Sequence, residues 1–175
     1  MNILITGASG MIGSALSTRL MQSGHQVFCL SRSDSSAPFH YDPINGRVHI
    51  STDTNLDVVV NLAGANIADK RWNIQRKEEI LNSRARLTRA LSLALSESQP
   101  PPHTLLSASA IGFYGNQCTA PTDEESPPGN DFLAEVSVRW EEATAPATNA
   151  GIRTVLLRFG LVLNCLLYTS DAADD

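Results

Sequence analysis

From Asn2 to Gly13 the chain reads N-I-L-I-T-G-A-S-G-M-I-G, an apolar run that passes directly into three evenly spaced glycines. Ile3, Leu4 and Ile5 form a short β-branched and aliphatic run, the pattern of a parallel strand buried on both faces. Thr6-Gly7-Ala8-Ser9-Gly10 cannot continue that strand. From Met11 to Met21 the apolar residues Met11, Ile12, Ala15, Leu16 and Leu20 take helical spacing. The glycines therefore fall on a strand-to-helix turn. Gly7 permits a tight turn, Gly10 lets backbone approach a pyrophosphate, and Gly13 lets the helix pack close to the strand. The helix start adds free N–H groups and the positive end of a dipole. Thr6, Gly7, Ser9, Gly10, Met11, Ile12 and Gly13 are the expected phosphate-side contacts of a dinucleotide. A glycine-rich loop with no ligand is the alternative.

The 175 residues suffice for one domain with a substantial core, at an ordinary 42% hydrophobic and 18% charged content. A net charge of −5 offers no footprint for nucleic acid or an anionic membrane. No basic-then-apolar leader and no run long enough to span a bilayer is present, so a cytoplasmic location is expected. Cys29, Cys118 and Cys165 lack metal-ligand spacing, and Cys29 reads as a small core residue.

Gly24 closes the first helix, and Gln26 to Leu30 reads as a second strand. The residue at the end of such a strand meets the adenosine ribose, and an acid there selects NAD(H). Here Ser31-Arg32 stands in that place. Ser31 does not repel a 2′-phosphate, and Arg32 can pair with one. NADP(H) is therefore expected in preference to NAD(H), the alternative being a solvated arginine. Ser33 to Asp53 is polar, with a short strand at Val48–Ile50. Asp57 to Asn61 is a buried strand, and the small residues Ala63, Gly64 and Ala65 after it suit either backbone contact with a dinucleotide or a plain turn. Asn66 to Gln99 reads as mostly one long helix with Ile74, Ile80, Leu81, Leu87, Leu91 and Leu95 on its apolar face. The basic cluster Lys70-Arg71-Trp72 and Arg76-Lys77 suits an anion or, for most members, a solvated face. Pro100 to Pro102 stops the helix, Thr104 to Ser107 is the next strand, and Ser109 and Tyr114 should face the pocket beyond it. Ser107 joins the cofactor-side set. Phe132 to Ala145 is helical, and Thr154 to Leu163 holds another buried strand and its exit.

Four stretches together carry a family resemblance: Thr6 to Gly13; Asn61 to Ala65 with Arg71-Trp72 and Ile80 to Arg84; Ser107 to Gly115; and Asp131 to Glu135 with Trp140-Glu141. The chain resembles the extended short-chain dehydrogenase/reductases, in their atypical "epimerase family protein" branch, over residues 1 to about 164. The resemblance implies a doubly wound α/β Rossmann domain that binds NADP(H) and acts on a small molecule of unassigned identity. It also implies a serine with a Tyr-x-x-x-Lys pair, the tyrosine moving a proton as hydride moves to or from nicotinamide. Ser109 matches the serine. The pair is absent: Tyr41, Tyr114 and Tyr168 are followed at that spacing by Asn45, Cys118 and Ala172, and the expected segment carries Phe132 and Val136. Tyr114 is the nearest substitute phenol, although in the family it usually packs rather than reacts.

Residues 165–175, Cys165 to Asp175, do not continue the preceding strand exit. The codons TGT CTC TTA TAC ACA TCT GAC GCT GCC GAC would encode residues 165–174, as an in-frame reading of a transposon-end sequencing adapter. The expectation is a Rossmann domain over 1–164, cut before its substrate domain, with a non-native tail. Two functions remain open: an oxidoreductase or epimerase-like enzyme with altered acid–base residues, and a non-catalytic NADP(H)-binding sensor or scaffold. No substrate or oligomeric state follows from the sequence.

Overall fold

A computed structural model of the chain describes residues 1–116 and 121–163. The proposed tail and the expected boundary at Asn164 lie outside these residues, as do Cys118 and Cys165. The apolar runs form the strands β1 (Asn2–Thr6), β2 (Gln26–Cys29), β5 (Val58–Asn61), β6 (Thr104–Ala110) and β7 (Arg153–Phe159). They make one sheet in the order β2-β1-β5-β6-β7, with every pairing parallel. Between β2 and β5 the chain adds an antiparallel hairpin, β3 (Phe39–Asp42) and β4 (Arg47–Ile50). The hairpin is a separate two-stranded sheet, tied by one isolated bridge to the segment that follows β2. Ser31 N–H donates to Phe39 O at 2.9 Å, and Tyr41 N–H donates to Ser31 O at 2.8 Å, in a parallel bridge.

Helices cover both faces. α1 (Met11–Gln22) packs Leu16 and Leu20 against Ile3, Ile5 and Val60. On the other face α2 (Ile74–Glu97), α3 (Phe132–Glu142) and α4 (Ala145–Asn149) cover the sheet, and Leu4, Val59, Leu91, Leu95, Leu105, Ala147 and Ile152 form the larger core. β1 and β5 are buried on both sides, which explains their unbroken apolar sequences. The result is the doubly wound α/β architecture that the resemblance implies. Among the described residues no helix is long and apolar enough to cross a membrane.

The structure corrects four local expectations. The long helix does not begin near Asn66. Residues 66–72 form a loop, and α2 starts at Ile74, capped by Asn73, whose side chain accepts from Arg76 N–H at 2.7 Å. Ile74 is 81% exposed and so lies off the apolar face. A buried charge takes up the loop instead: Arg76 is paired to Asp69 and Glu79 and donates to Asn66 O. Second, the polar stretch 33–53 holds two strands. Phe39 was hidden there because a single buried aromatic within polar sequence carries no periodicity. Third, β6 runs on to Ala110, since Ala108 and Ser109 are small enough to sit buried under α3. Fourth, Cys29 is exposed.

Candidate cofactor-binding site

The strand order reverses between β1 and β5: the connection from β1 runs to β2 on one side, and β5 lies on the other. In such sheets a crevice opens beyond the carboxyl ends of the two strands. Gly7 sits at that point with φ +69°. A Cβ there would stand 2.9 Å from Leu62 C and O and 3.0 Å from Ala63 N, so the first loop and the loop after β5 touch through a bare glycine. Gly13 is tighter: a Cβ would lie 2.2 Å from Gly7 O and 2.8 Å from Ala8 Cα. Those atoms are backbone and cannot swing aside. Gly10 N–H closes the turn onto Gly7 O at 3.0 Å.

α1 begins at Met11 with Gly10 as its N-cap and no side-chain cap bond. α3 differs, because Asp131 accepts from Ala134 N–H at 2.9 Å. Among the described residues no side chain accepts from the first-turn N–H groups of α1. Ser9, Gly10 and Met11 are exposed around this opening, and Ile12 is half-buried.

Thr6 and Ser107 lie deeper than a contact residue would. Thr6 is 1% exposed and Ser107 fully buried. Thr6 Oγ1 accepts from Leu62 N–H and Ala63 N–H, each at 3.1 Å, and donates to Asn61 Oδ1 at 2.7 Å. Asn61 Nδ2 donates to Thr88 Oγ1 at 2.8 Å and to Ser107 Oγ at 3.1 Å. Trp140 Nε1 donates to the same Thr88 oxygen at 3.0 Å. Both hydroxyls are therefore spent inside a buried polar network that joins β1, β5, β6, α2 and α3. They shape the crevice from behind.

The loop after β5 is held from α2. Ala65 N–H donates to Ser83 Oγ at 3.0 Å, and Arg84 Nη2 donates to Ala65 O at 2.9 Å. On the far side of β1, Ser31 Oγ accepts from Asp34 N–H at 3.0 Å, at the point where β2 ends. Arg32 is exposed and, among the described residues, has no ion pair. The nearby carboxylate of Asp34 is turned into its own loop. It accepts from Ser36 Oγ at 2.6 Å and Ser36 N–H at 2.9 Å, bonds that hold its pKa below the ordinary carboxylate value.

The NAD dependent epimerase/dehydratase family profile matches residues 3–163. The chain belongs to that family. It is 40% identical over 164 residues to an epimerase family protein of Mycobacterium bovis, a match covering 93% of this chain and 54% of the relative. To the human epimerase family protein SDR39U1 it is 33% identical, over 93% of this chain and 55% of the relative. The chain spans about half the length of the curated relatives it matches. A solved structure of the human protein with NADPH superposes at a TM-score of 0.78 with 31% identity, covering 94% of this chain and 55% of that one. A nucleoside-diphosphate sugar epimerase of Corynebacterium glutamicum superposes at 0.77 with 38% identity, covering 94% and 34%. The chain thus carries the family's NAD(P)-binding fold.

Ser109 does not face an open pocket. It is 2% exposed and donates to Glu141 Oε1 at 2.6 Å. Glu141 also takes a two-pronged bond from Arg158, Nε to Oε1 at 2.8 Å and Nη2 to Oε2 at 2.9 Å. Arg158 Nη1 donates to Tyr114 Oη at 2.8 Å, and the guanidinium lies 3.5 Å from the centre of the Phe113 ring. The bonds to Glu141 hold the guanidinium charged more firmly than usual. From the sequence Glu141 entered only as part of a family stretch, without a role, and Arg158 was not singled out. The paired charges come from α3 and β7, and only the register Ser109↔Arg158 brings them together. Tyr114 and Arg158 border a concavity of about 900 Å³ between the turn at Ile111–Tyr114 and β7. Phe132, where the resemblance leads one to expect the tyrosine, packs edge-on to Trp72 at 5.5 Å with Lys77 Nζ 5.0 Å from its ring centre, and Val136, four residues on, is buried.

Proposed function

We propose that this chain is the NADP(H)-binding unit of an epimerase-like oxidoreductase that handles protons without a Tyr-x-x-x-Lys pair. The observation that carries the reading is the uncapped start of α1 behind the Gly7–Gly13 cradle, at the point where the strand order reverses. Backbone at Gly7, Ser9, Gly10, Met11, Ile12 and Gly13 would hold the diphosphate. Ser31 and Arg32 would take the ribose 2′-phosphate, and backbone of Ala63, Gly64 and Ala65 would lie along the dinucleotide. The human relative solved with NADPH, 31% identical, supports the phosphorylated cofactor. When bound, the nicotinamide supplies hydride transfer. Tyr114 is the phenol available to move a proton, and Arg158 Nη1 orients it by donating a hydrogen bond to its oxygen. Ser109 and Glu141 hold Arg158 in that position.

The test is cofactor affinity of the unmutated chain and of Arg32→Asp. An arginine–phosphate pair contributes about 1.5–3 kcal/mol, so the substitution should weaken NADP(H) by roughly 10- to 150-fold. NAD(H) affinity should barely change. Equal affinity of the unmutated chain for both cofactors would refute the preference.

A second reading, a non-catalytic NADP(H) sensor or scaffold, draws on Phe132 and Val136. Where the resemblance leads one to expect the acid and the lysine, this chain has a packed aromatic and a buried aliphatic residue, which supports the reading. Exchange of hydride between the bound cofactor and a trial substrate separates the two readings.

A further inference from the structure

A further concavity lies at the opposite end of the sheet from the crevice, by the amino ends of β5 and β6. It holds about 360 Å³ between β4, the segment that leads into β5, and the carboxyl end of α2. Cavities that take small molecules start at about 300 Å³. The floor is apolar: Val48 and Ile50 pack with buried Leu56 on the larger core. The rim is polar, with Thr52, Thr54 and Asn55 on one side and Glu97 on the other. None of these residues takes part in the cofactor crevice.

The electrostatics of the α2 side are unbalanced. The last carbonyls of a helix lack partners in the next turn and carry the negative end of its dipole. A basic residue in the last turn offsets that charge. The last turn of α2 has none, and it carries Glu97 instead. Among the described residues the Glu97 carboxylate makes no ion pair. The C-cap residue, Ser98, serves one carbonyl twice: its N–H and its Oγ both donate to Leu95 O, at 3.3 and 2.7 Å. A carboxylate therefore stands at the negative end of a 24-residue helix, on the rim of a cavity, with no cation beside it. A positive charge in the cavity would relieve both the carboxylate and the helix end.

We propose that this cavity binds a small organic cation, an alkylammonium ion, with its charge against Glu97 and the end of α2 and its methylenes on the floor of Val48, Ile50 and Leu56. The hydroxyls of Thr52 and Thr54 supply acceptors for the other ammonium N–H groups. The apolar floor favours an organic cation over a metal ion, which needs several oxygen or nitrogen ligands at once. Among the described residues no three metal-ligating side chains gather. The site shares no residue with the dinucleotide reading and stands without it.

The test titrates the 175-residue chain with 1,4-diaminobutane at constant ionic strength and follows backbone amide shifts by NMR. The uncharged isostere 1,4-butanediol is titrated in parallel. The diamine should move amides of Val48 to Leu56 and Ala94 to Gln99, with half-saturation below about 10 mM. Butanediol should move them at least about fivefold more weakly. Glu97→Gln keeps the shape and removes the charge; because Glu97 is exposed, the expected loss of diamine affinity is about threefold or more. Ala94→Phe fills the cavity from α2 and should abolish the shifts. Thr52→Trp fills it from the other wall and serves if Ala94→Phe does not fold, which melting temperatures reveal. No saturable shift below about 10 mM, shifts centred elsewhere, or butanediol binding as well as the diamine overturns the inference. So does Glu97→Gln within about 1.5-fold of the unmutated chain, or a folded cavity-filling variant that binds the diamine undiminished.

Discussion

Replacing Asn61 with alanine should dismantle the buried network behind the crevice. Asn61 is fully buried and makes three side-chain bonds, at 2.7 Å to Thr6, 2.8 Å to Thr88 and 3.1 Å to Ser107. The substitution leaves the Thr6 hydroxyl proton without an acceptor, and it takes donors from Thr88 and Ser107. An orphaned buried donor costs about 1–3 kcal/mol, and each abandoned acceptor costs less. The small cavity adds about 1 kcal/mol. A loss of about 3–4 kcal/mol follows, against about 5–15 kcal/mol for a whole domain. For a chain of this size that is a fall of about 10 °C in melting temperature. Because Thr6 also accepts from Leu62 and Ala63 N–H, the loop after β5 should loosen too, and NADPH affinity should fall with stability. Calorimetry or urea unfolding of Asn61→Ala, Thr88→Val and the double variant provides the assay. Shared bonds make the two substitutions non-additive by about 1 kcal/mol or more. A melting temperature within about 2 °C of the unmutated chain, or strict additivity, would refute the reasoning.

Gly13→Ala should cost about 3 kcal/mol and abolish measurable cofactor binding, because the added methyl meets backbone atoms at 2.2 and 2.8 Å and α1 must back away from the loop; urea unfolding and NADPH titration read both effects. Glu141→Ala strands Arg158 in a pair whose side chains are only 17% and 10% exposed, and should lower stability by about 3 kcal/mol in urea unfolding. Arg158→Met made alongside it should add little, since the stranded charge goes with it. Phe132→Tyr with Val136→Lys should not create nucleotide-sugar turnover. Val136 is 4% exposed, so a lysine there must bury its ammonium, and a melting temperature below that of the unmutated chain is the expected sign.

How much could be read without the fold differs by element. β1, the glycine turn and α1 were legible because their information is local. An apolar run, three glycines and a helical period lie within about twenty residues, and each glycine has a steric reason that needs no distant partner. β5 was legible for a similar reason, since a strand buried on both faces has no alternation to confuse it. The residues 33–53 were only partly legible. β3 pairs with Ser31 and β4 rather than following a pattern of its own, and Phe39 declares itself only when Leu4 and Val59 pack against it. The start of α2 was misplaced because helical spacing alone could not reveal Arg76, whose burial depends on a loop folded back over it.

Sequence alone determined the fold class, the family and the place of the glycine turn, because strand-glycine-helix order dictates them within a single βα unit. Tertiary structure decided which hydroxyls are free. Thr6, Ser107 and Ser109 look alike in sequence as candidate contacts, yet each is buried and already bonded to Asn61 or Glu141. It also decided where the charges meet. Glu141 and Arg158 join, while Arg84 has no ion pair among the described residues, because the parallel register and the packing of α2 against α3 bring together residues far apart in the chain. Burial and partnering are properties of the assembled sheet and helices, and no local pattern encodes them.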